Sequence, residues 1–190
     1  MLLLGGLGPE AVDALPYVRA TMADETGTTA TSAATAFHRI TGDPGPALDV
    51  FDRELTGPDH DCRAALSGYE ALGALAADRV PRILKTLRRR DHTGWTRVHA
   101  ARALWSVAGR ADGLPALLTA WRTNAFTRRE ITQLWTAMGP SAAEARPLLA
   151  AEQAAVRRHS TSGSGWHSGA VSDDEELLRL LPTALAAIGR

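Results

Sequence analysis

Four ten-residue blocks that each end in glycine recur along the chain, at residues 33–42, 64–73, 100–109 and 130–139. The last block, EITQLWTAMG, places its apolar residues with the i, i+3, i+4, i+7 spacing of a helix buried on one side, at Ile131, Leu134, Trp135 and Met138. The same positions of the third block hold Ala101, Leu104, Trp105 and Ala108. A final glycine adopts the left-handed conformation that ends a helix without a Cβ clash. Each block therefore predicts an amphipathic helix that stops at its glycine.

A second helix is predicted after each block, because proline follows the glycine at a nearly fixed distance. Three tracts place the proline eight residues after the glycine (8–16, 73–81 and 139–147), and GDPGP and GRADGLP are shorter versions. Apolar stripes begin beside two of these prolines, Pro81 and Pro115. The stripes consist of Val80, Ile83, Leu84, Leu87 and of Leu114, Leu117, Leu118, Trp121. The prolines that end these tracts, at positions 16, 46, 81, 115 and 147, recur every 30 to 35 residues. Two helices per unit at this period predict an all-α, right-handed α-solenoid of about four to five units.

The third unit carries a family resemblance. The stretch TRVHAARALWSVAGRADGLPALL, residues 96–118, resembles a HEAT repeat of the short type also found in the phycobilisome-lyase group. The first-helix pattern of that family, close to V-R-x-x-A-A-x-A-L, is occupied here by Thr96, Arg97, Ala100, Ala101, Ala103 and Leu104. The resemblance covers roughly residues 1–158. It implies an armadillo-type fold whose second helices line a concave surface, and a scaffold that binds partners there.

We predict one domain that spans residues 1–190. It consists of a partial first unit (1–24), repeats at about 28–56, 60–90, 96–123 and 128–158, a flexible Gly/Ser-rich insertion (159–172) and a terminal helix (173–189). Ser172 and the four acids after it are expected to begin that helix. Because Leu2 to Leu7 form only the end of a first-type helix, the N-terminal edge is expected to expose an apolar face. Missing sequence, another copy of the chain or a partner would cover it.

The net charge of zero hides an asymmetry along the chain. Residues 1–78 hold 4 Lys/Arg against 12 Asp/Glu, residues 79–129 hold 12 against 2, and residues 130–190 hold 5 against 7. In the basic middle, Arg82, Lys85 and Arg89 share a face apart from the apolar stripe and are expected to project together into solvent. This face is either an electropositive patch for a phosphate backbone or an acidic protein surface, or an ordinary solvated helix face.

The residues predicted to bind a partner are Arg82, Lys85, Arg89, Arg90, Trp95, Arg97 and Trp166. Trp95 lies in the predicted turn DHTGWT beside the basic helix, and Trp166 lies in the insertion; each either pins its loop or is offered to a partner. Trp105, Trp121 and Trp135 are expected in the core, because they fall on apolar stripes.

The leading hypothesis is a non-catalytic scaffold that binds a protein partner through its concave surface and N-terminal edge, with self-association through that edge as a further expectation. One alternative is nucleic-acid binding through residues 79–129, including a HEAT-like DNA glycosylase for which Asp91 and Trp95 are the nearest carboxylate and aromatic. Another is a module of a longer repeat protein without activity alone.

No cofactor or metal site is predicted. Asp59, His60, Asp61 and Cys62 are potential ligands, but consecutive residues at a helix start point in different directions. A single cysteine, a short initial apolar run and the lack of an 18-residue apolar window predict a cytoplasmic protein without a membrane span.

Overall fold

The structure, a computed structural model, describes residues 8–89, 91, 93–155 and 170–189, and for residues 170–173 it describes the backbone alone. Regular structure in these ranges is helical throughout, which confirms the all-α prediction for this part of the chain. The α-helices are α1 (Leu15–Asp24), α2 (Gly27–Thr41), α3 (Gly45–Glu54), α4 (Asp59–Leu72), α5 (Val80–Leu87), α6 (Trp95–Ala108), α7 (Leu114–Thr123), α8 (Arg128–Met138), α9 (Arg146–Gln153) and α10 (Ala170–Ile188). Short 3₁₀ helices occupy Gly8–Ala14, Gly73–Arg79, Ala125–Thr127 and Gly139–Ala145.

The chain divides into two compact units. The first comprises Met1–Arg89 and Arg102–Arg110, and the second comprises Arg90–Ala101 and Ala111–Arg190. In the first unit, α2 packs against α1, α3 and α4. In the second unit, α10 packs against α8 and α9. The largest fully buried side chains of the first unit include Phe37, Phe51, Leu66, Tyr69, Ile83 and Leu104, and those of the second include Leu117, Ile131, Trp135, Leu149 and Leu181.

The three glycine-to-proline tracts share one backbone geometry. Each begins with a glycine at positive φ: 57° at Gly8, 55° at Gly73 and 55° at Gly139. Each continues as a seven-residue 3₁₀ helix, and an α-helix with proline in its first positions follows. The fourth residue of each tract is a buried alanine that leaves the helical region: Ala11, Ala76 and Ala142. The tracts aligned by sequence are thus alike in structure, whereas residues 1–7, the predicted N-terminal edge, lie outside the described residues.

The glycines end their helices in two different conformations. Gly42 is left-handed, with φ 76° and ψ −8°, and its N–H donates to the His38 carbonyl at 2.7 Å. Gly73 and Gly139 also have positive φ, but their ψ angles of −131° and −132° lie far from the left-handed helical region that the sequence predicts. Glycine is required there all the same, because a Cβ atom is poorly tolerated at positive φ.

The predicted apolar stripes are buried fully in α7 and α8 but only in part in α6. In α6, Ala101 and Leu104 are buried, whereas Trp105 is half-buried and Ala108 is exposed. The core assignment of Trp105 is therefore wrong, while Trp121 and Trp135 are core residues with rings 5.0 Å apart. Trp is rarely covered completely because of its size, so a place on a stripe does not ensure full burial.

The C-terminal helix starts earlier than the sequence predicts. It begins at Ala170, so Ser172 lies inside the helix and is not its cap. Serine and acidic residues are compatible with any position in the first turn of a helix. They therefore do not identify the residue at which this helix begins. The rest of the predicted insertion, with Trp166, lies outside the described residues. Within the described ranges, no helix combines the length and the apolar character needed to cross a membrane.

Candidate functional site: a cationic pocket between α3 and α5

A pocket of about 410 Å³ lies in the first unit, where the C-terminal end of α3 faces α5. Its lining residues are Asp52, Leu55, Thr56, Pro81, Arg82, Lys85, Thr86 and Arg89. Three of the residues predicted to bind a partner, Arg82, Lys85 and Arg89, therefore lie at one site. The pocket combines three cations and one carboxylate with an apolar wall, and we refer to it below as the cationic pocket.

The burial pattern of α5 explains why its cations line this pocket. Val80, Ile83 and Thr86 are buried, whereas Leu84 and Leu87, which the predicted stripe includes, are only half-buried. The buried face is therefore rotated from the predicted one. Thr86 is tolerated inside because its hydroxyl donates to a backbone carbonyl of its own helix at 3.2 Å. A prediction that counts only apolar residues as buried does not identify Thr86 as a buried residue.

Asp52, one of the residues that line the pocket, contacts several elements through its carboxylate. The Tyr69 hydroxyl donates to Oδ1 at 2.6 Å, and the Arg79 Nε–H donates to Oδ2 at 2.9 Å. Arg82 Nε lies 3.3 Å from Oδ1. Burial raises the pKa of Tyr69 far above its ordinary range, and the hydrogen bond to Asp52 raises it further, so the phenol remains a donor. The carboxylate is thus shared by two arginines and one hydroxyl.

Arg89 does not project into solvent as predicted. Its guanidinium donates to the Leu55 carbonyl at 3.1 Å and to the Gly57 carbonyl at 3.2 Å, and it lies 3.8 Å from Asp59. These carbonyls lie just beyond the end of α3, where a helix concentrates partial negative charge, so a cation is favoured there. Arg89, which lines the pocket just beyond the end of α5, therefore joins that end of the helix to the segment after α3.

Arg82 and Lys85 are the cations that the cationic pocket offers to solvent. The side chain of Lys85 is exposed and makes no hydrogen bond or ion pair with the described residues. The side chain of Arg82 is 57% exposed, and among the described residues its recorded ion pair uses Nε alone. Arg88 is also exposed but does not line the pocket. A ligand with negative charge would meet Arg82 and Lys85 first.

The other predicted binding residues are not placed in this pocket. Trp95 and Arg97 belong to the second unit. Trp95 is the first residue of α6, not part of the turn, and its half-buried ring lies 6.4 Å from the His99 ring. Arg97 is half-buried. Arg90 and Trp166 lie outside the described residues.

Asp91, the carboxylate considered for glycosylase chemistry, is engaged by the turn before α6. Its Oδ1 accepts the N–H groups of Thr93 at 3.1 Å and Gly94 at 2.9 Å, and its Oδ2 accepts the N–H of Arg97 at 3.1 Å. Partial burial acts to raise the pKa of Asp91, but these backbone hydrogen bonds outweigh it and lower the pKa. The carboxylate thus acts as a cap for the start of α6.

Replacing Asp91 by asparagine is expected to lower the free energy of unfolding by about 1 kcal/mol at neutral pH, because a charged acceptor at a helix start is lost. A lowered folded-state pKa stabilises the fold above the unfolded pKa of about 3.9, and this contribution disappears as pH falls through the folded pKa. Urea unfolding of both proteins at neutral pH and near pH 3 measures the difference. A difference that does not shrink at low pH would contradict the role of the charge.

The basic middle of the sequence is neutralised in large part by acids from elsewhere in the same unit. The closest N–O distances of four such ion pairs are 2.9 Å for Arg79–Asp52, 2.8 Å for Arg102–Glu70, 2.9 Å for Arg128–Glu152 and 2.8 Å for Arg129–Glu176. The partners in these pairs are separated by 24 to 47 residues in sequence. The charge count of residues 79–129 therefore overstates the cationic surface, because a count does not show which arginines are paired with acids distant in sequence.

The cluster Asp59–Cys62 has local structural partners. Asp59 lies near Arg89, and His60 Nε2 lies 2.9 Å from Asp61 Oδ1. Cys62 is fully buried, and burial raises the pKa of its thiol although Arg89 opposes the shift. A buried thiol with a raised pKa is a weak nucleophile at neutral pH. Over the described ranges, no three His, Cys, Asp or Glu side chains are grouped so as to hold a metal ion.

Comparisons of the chain with protein families, with curated proteins and with solved structures give no match.

Proposed function

We propose that this chain is a non-catalytic binding module of the HEAT-like α-solenoid type, and that it binds an acidic segment of a partner protein in the cationic pocket. The observation that carries the proposal is the pocket itself, in which Arg82 and Lys85 stand exposed beside an apolar wall. α3 and α5 are second-type helices of consecutive predicted units. In the resembled family, such helices line the concave surface that binds partners.

The repeated backbone geometry supports the solenoid part of the proposal. Three tracts adopt the same sequence of positive-φ glycine, 3₁₀ helix and proline-initiated α-helix. Each predicted repeat range contains two α-helices. A repeat protein is built from such units, each of which buries its apolar face against its neighbours.

The distribution of charge favours a protein partner over nucleic acid. A nucleic acid requires several cations along its backbone, but Arg79, Arg102, Arg128 and Arg129 are paired with carboxylates. The pocket also contains Asp52, which repels a polyanion. A protein segment that presents a few carboxylates among other side chains is complementary in charge to a confined cationic site of this kind.

The expected result is that a fluorescein-labelled peptide of alternating Glu and Leu residues binds the protein, and that Lys85→Glu weakens binding about tenfold or more, because one ionic hydrogen bond is replaced by repulsion. Fluorescence anisotropy at several salt concentrations measures the affinity. Arg88→Glu is the matched control: it makes the same change of charge on an exposed residue three positions away that does not line the pocket.

Equal weakening by the two substitutions would attribute binding to net charge and would reject the pocket as the contact site. Tighter binding of a duplex DNA than of the peptide, lost in Lys85→Glu, would replace the protein partner by nucleic acid. Both variants keep the buried residues of α5, so thermal unfolding should match that of the unaltered protein.

A further inference from the structure

The lining of the cationic pocket combines cations with apolar side chains, so it can select a ligand by more than its negative charge. We infer that it recognises a short amphipathic acidic motif, in which the carboxylate of one residue binds Arg82 and Lys85 while an adjacent apolar side chain enters the pocket. This inference rests on the proposed function and names the chemistry of the bound segment.

The apolar part of the pocket supplies the first argument. Leu55 and Pro81 contribute to its wall, and the exposed Thr56 also lines it. The volume of about 410 Å³ falls in the range of about 300–1,000 Å³ that is typical of small-ligand pockets, so there is room for a side chain. A purely polar acidic segment would leave this space to water. An apolar side chain removes its own surface and that of the wall from water.

The orientation of Arg82 supplies the second argument. Arg82 Nε lies 3.3 Å from Asp52 Oδ1 in an ion pair, and the carboxylate of Asp52 accepts hydrogen bonds from Tyr69 and Arg79. A guanidinium that pairs with an acid through Nε keeps its two terminal nitrogens for a ligand, in the fork geometry that matches a carboxylate. The ion pair with Asp52 thus leaves the terminal nitrogens of Arg82 available to the carboxylate of the bound motif.

The balance of charge supplies the third argument. Arg89 is engaged with the carbonyls after α3, and Asp52 offsets one further cation. The exposed charge that remains comes from Arg82 and Lys85, which suits one carboxylate group with neutral neighbours. A ligand with several closely spaced carboxylates would bring additional negative charges near Asp52 and Asp59, which repel them.

The test compares two labelled peptides of equal length and charge, one with alternating Glu and Leu and the other with alternating Glu and Ser. The unaltered protein is expected to bind the Glu–Leu peptide about tenfold more tightly, which corresponds to burial of an apolar side chain. Thr56→Trp fills the pocket without any change of charge, and is expected to remove this preference while binding of the Glu–Ser peptide stays within about twofold.

Thr123→Trp is the matched control. Thr123 is exposed at the end of α7 in the second unit, and its hydroxyl donates to a backbone carbonyl one turn back, as that of Thr56 does. It is expected to keep the preference for the Glu–Leu peptide. Thermal unfolding confirms that both tryptophan variants are folded before binding is measured.

Equal affinity of the unaltered protein for the two peptides would overturn the inference but leave the proposed function standing. Retention of the preference in Thr56→Trp would also overturn it, because the apolar side chain would then bind elsewhere. A failure of the proposed function looks different: neither peptide binds, or Lys85→Glu and Arg88→Glu weaken binding equally.

Discussion

Replacing Arg128 by alanine is expected to lower the free energy of unfolding by about 3–5 kcal/mol, because it leaves a buried carboxylate without its main cation. Arg128 Nη1 lies 2.9 Å from Glu152 Oε2, and the two side chains are only 10% and 6% exposed. Arg128 Nε also donates to the Trp121 carbonyl at 3.1 Å, and the guanidinium lies over the Trp121 ring. The loss therefore includes an ion pair, a hydrogen bond and packing against an aromatic ring.

Arg129→Ala is the matched control for this prediction. Arg129 pairs with Glu176 at 2.8 Å, but these side chains are 39% and 43% exposed. An exposed pair contributes about 0–1 kcal/mol, since water solvates both charges once they separate. The losses of unfolding free energy in Arg128→Ala and Arg129→Ala are thus expected to differ by more than about 2 kcal/mol. Urea unfolding, followed by circular dichroism, measures both losses. Similar losses for the two variants would contradict the buried pair.

A double variant tests whether the cost comes from the unpaired charge. When Arg128→Met is combined with Glu152→Met, no charge remains at the site and the methionines fill the space with apolar groups. The double variant is expected to be more stable than either single variant. A double variant less stable than both would indicate that the ion pair itself contributes the stability.

Gly68→Ala is expected to destabilise the protein by about 2–3 kcal/mol, although alanine is the better helix former by about 1 kcal/mol. Gly68 lies within α4, and a Cβ atom there would overlap the ring of Phe51 in α3. That ring is fully buried and packs edge-on against Tyr69, with centroids 5.6 Å apart. Because the ring is fully buried against Tyr69, relief of the overlap requires movement of packed core groups, which costs free energy.

Shortening the facing side chain provides the control for Gly68→Ala. In a Phe51→Leu background the clash is reduced, so adding Gly68→Ala should cost much less than it does in the unaltered protein. Urea unfolding of the four proteins gives a coupling energy, which is expected to exceed about 1 kcal/mol. Additive losses would show that the glycine is required for another reason.

Much of the local structure could be predicted from single residues and their neighbours. Gly73 and Gly139 mark the ends of α4 and α8, and the prolines after them lie in the first turns of the next helices. These signals are readable because they arise from backbone sterics: positive φ excludes most side chains, and proline fixes φ and lacks an N–H. The ψ angles of the two glycines were not predictable from those rules.

The candidate site was predictable only in part. The helical spacing placed Arg82 and Lys85 on an exposed face, which the structure retains. Spacing could not indicate that Arg89 binds the carbonyls after α3, because that contact joins residues 32 and 34 positions apart. Nor could it identify the pocket wall at Leu55, which lies in a different predicted repeat from α5.

The glycines and prolines of the sequence by themselves determined where α4 and α8 end and where α5 and α9 begin, because sterics and hydrogen bonding act between residues close along the chain. Only the tertiary structure decided which charges remain exposed. Arg128 and Arg129 are adjacent and identical, yet packing buries the first against Glu152 and leaves the second partly in water. Their partners lie 24 and 47 residues away, and a charge is neutralised or displayed according to what the fold brings beside it.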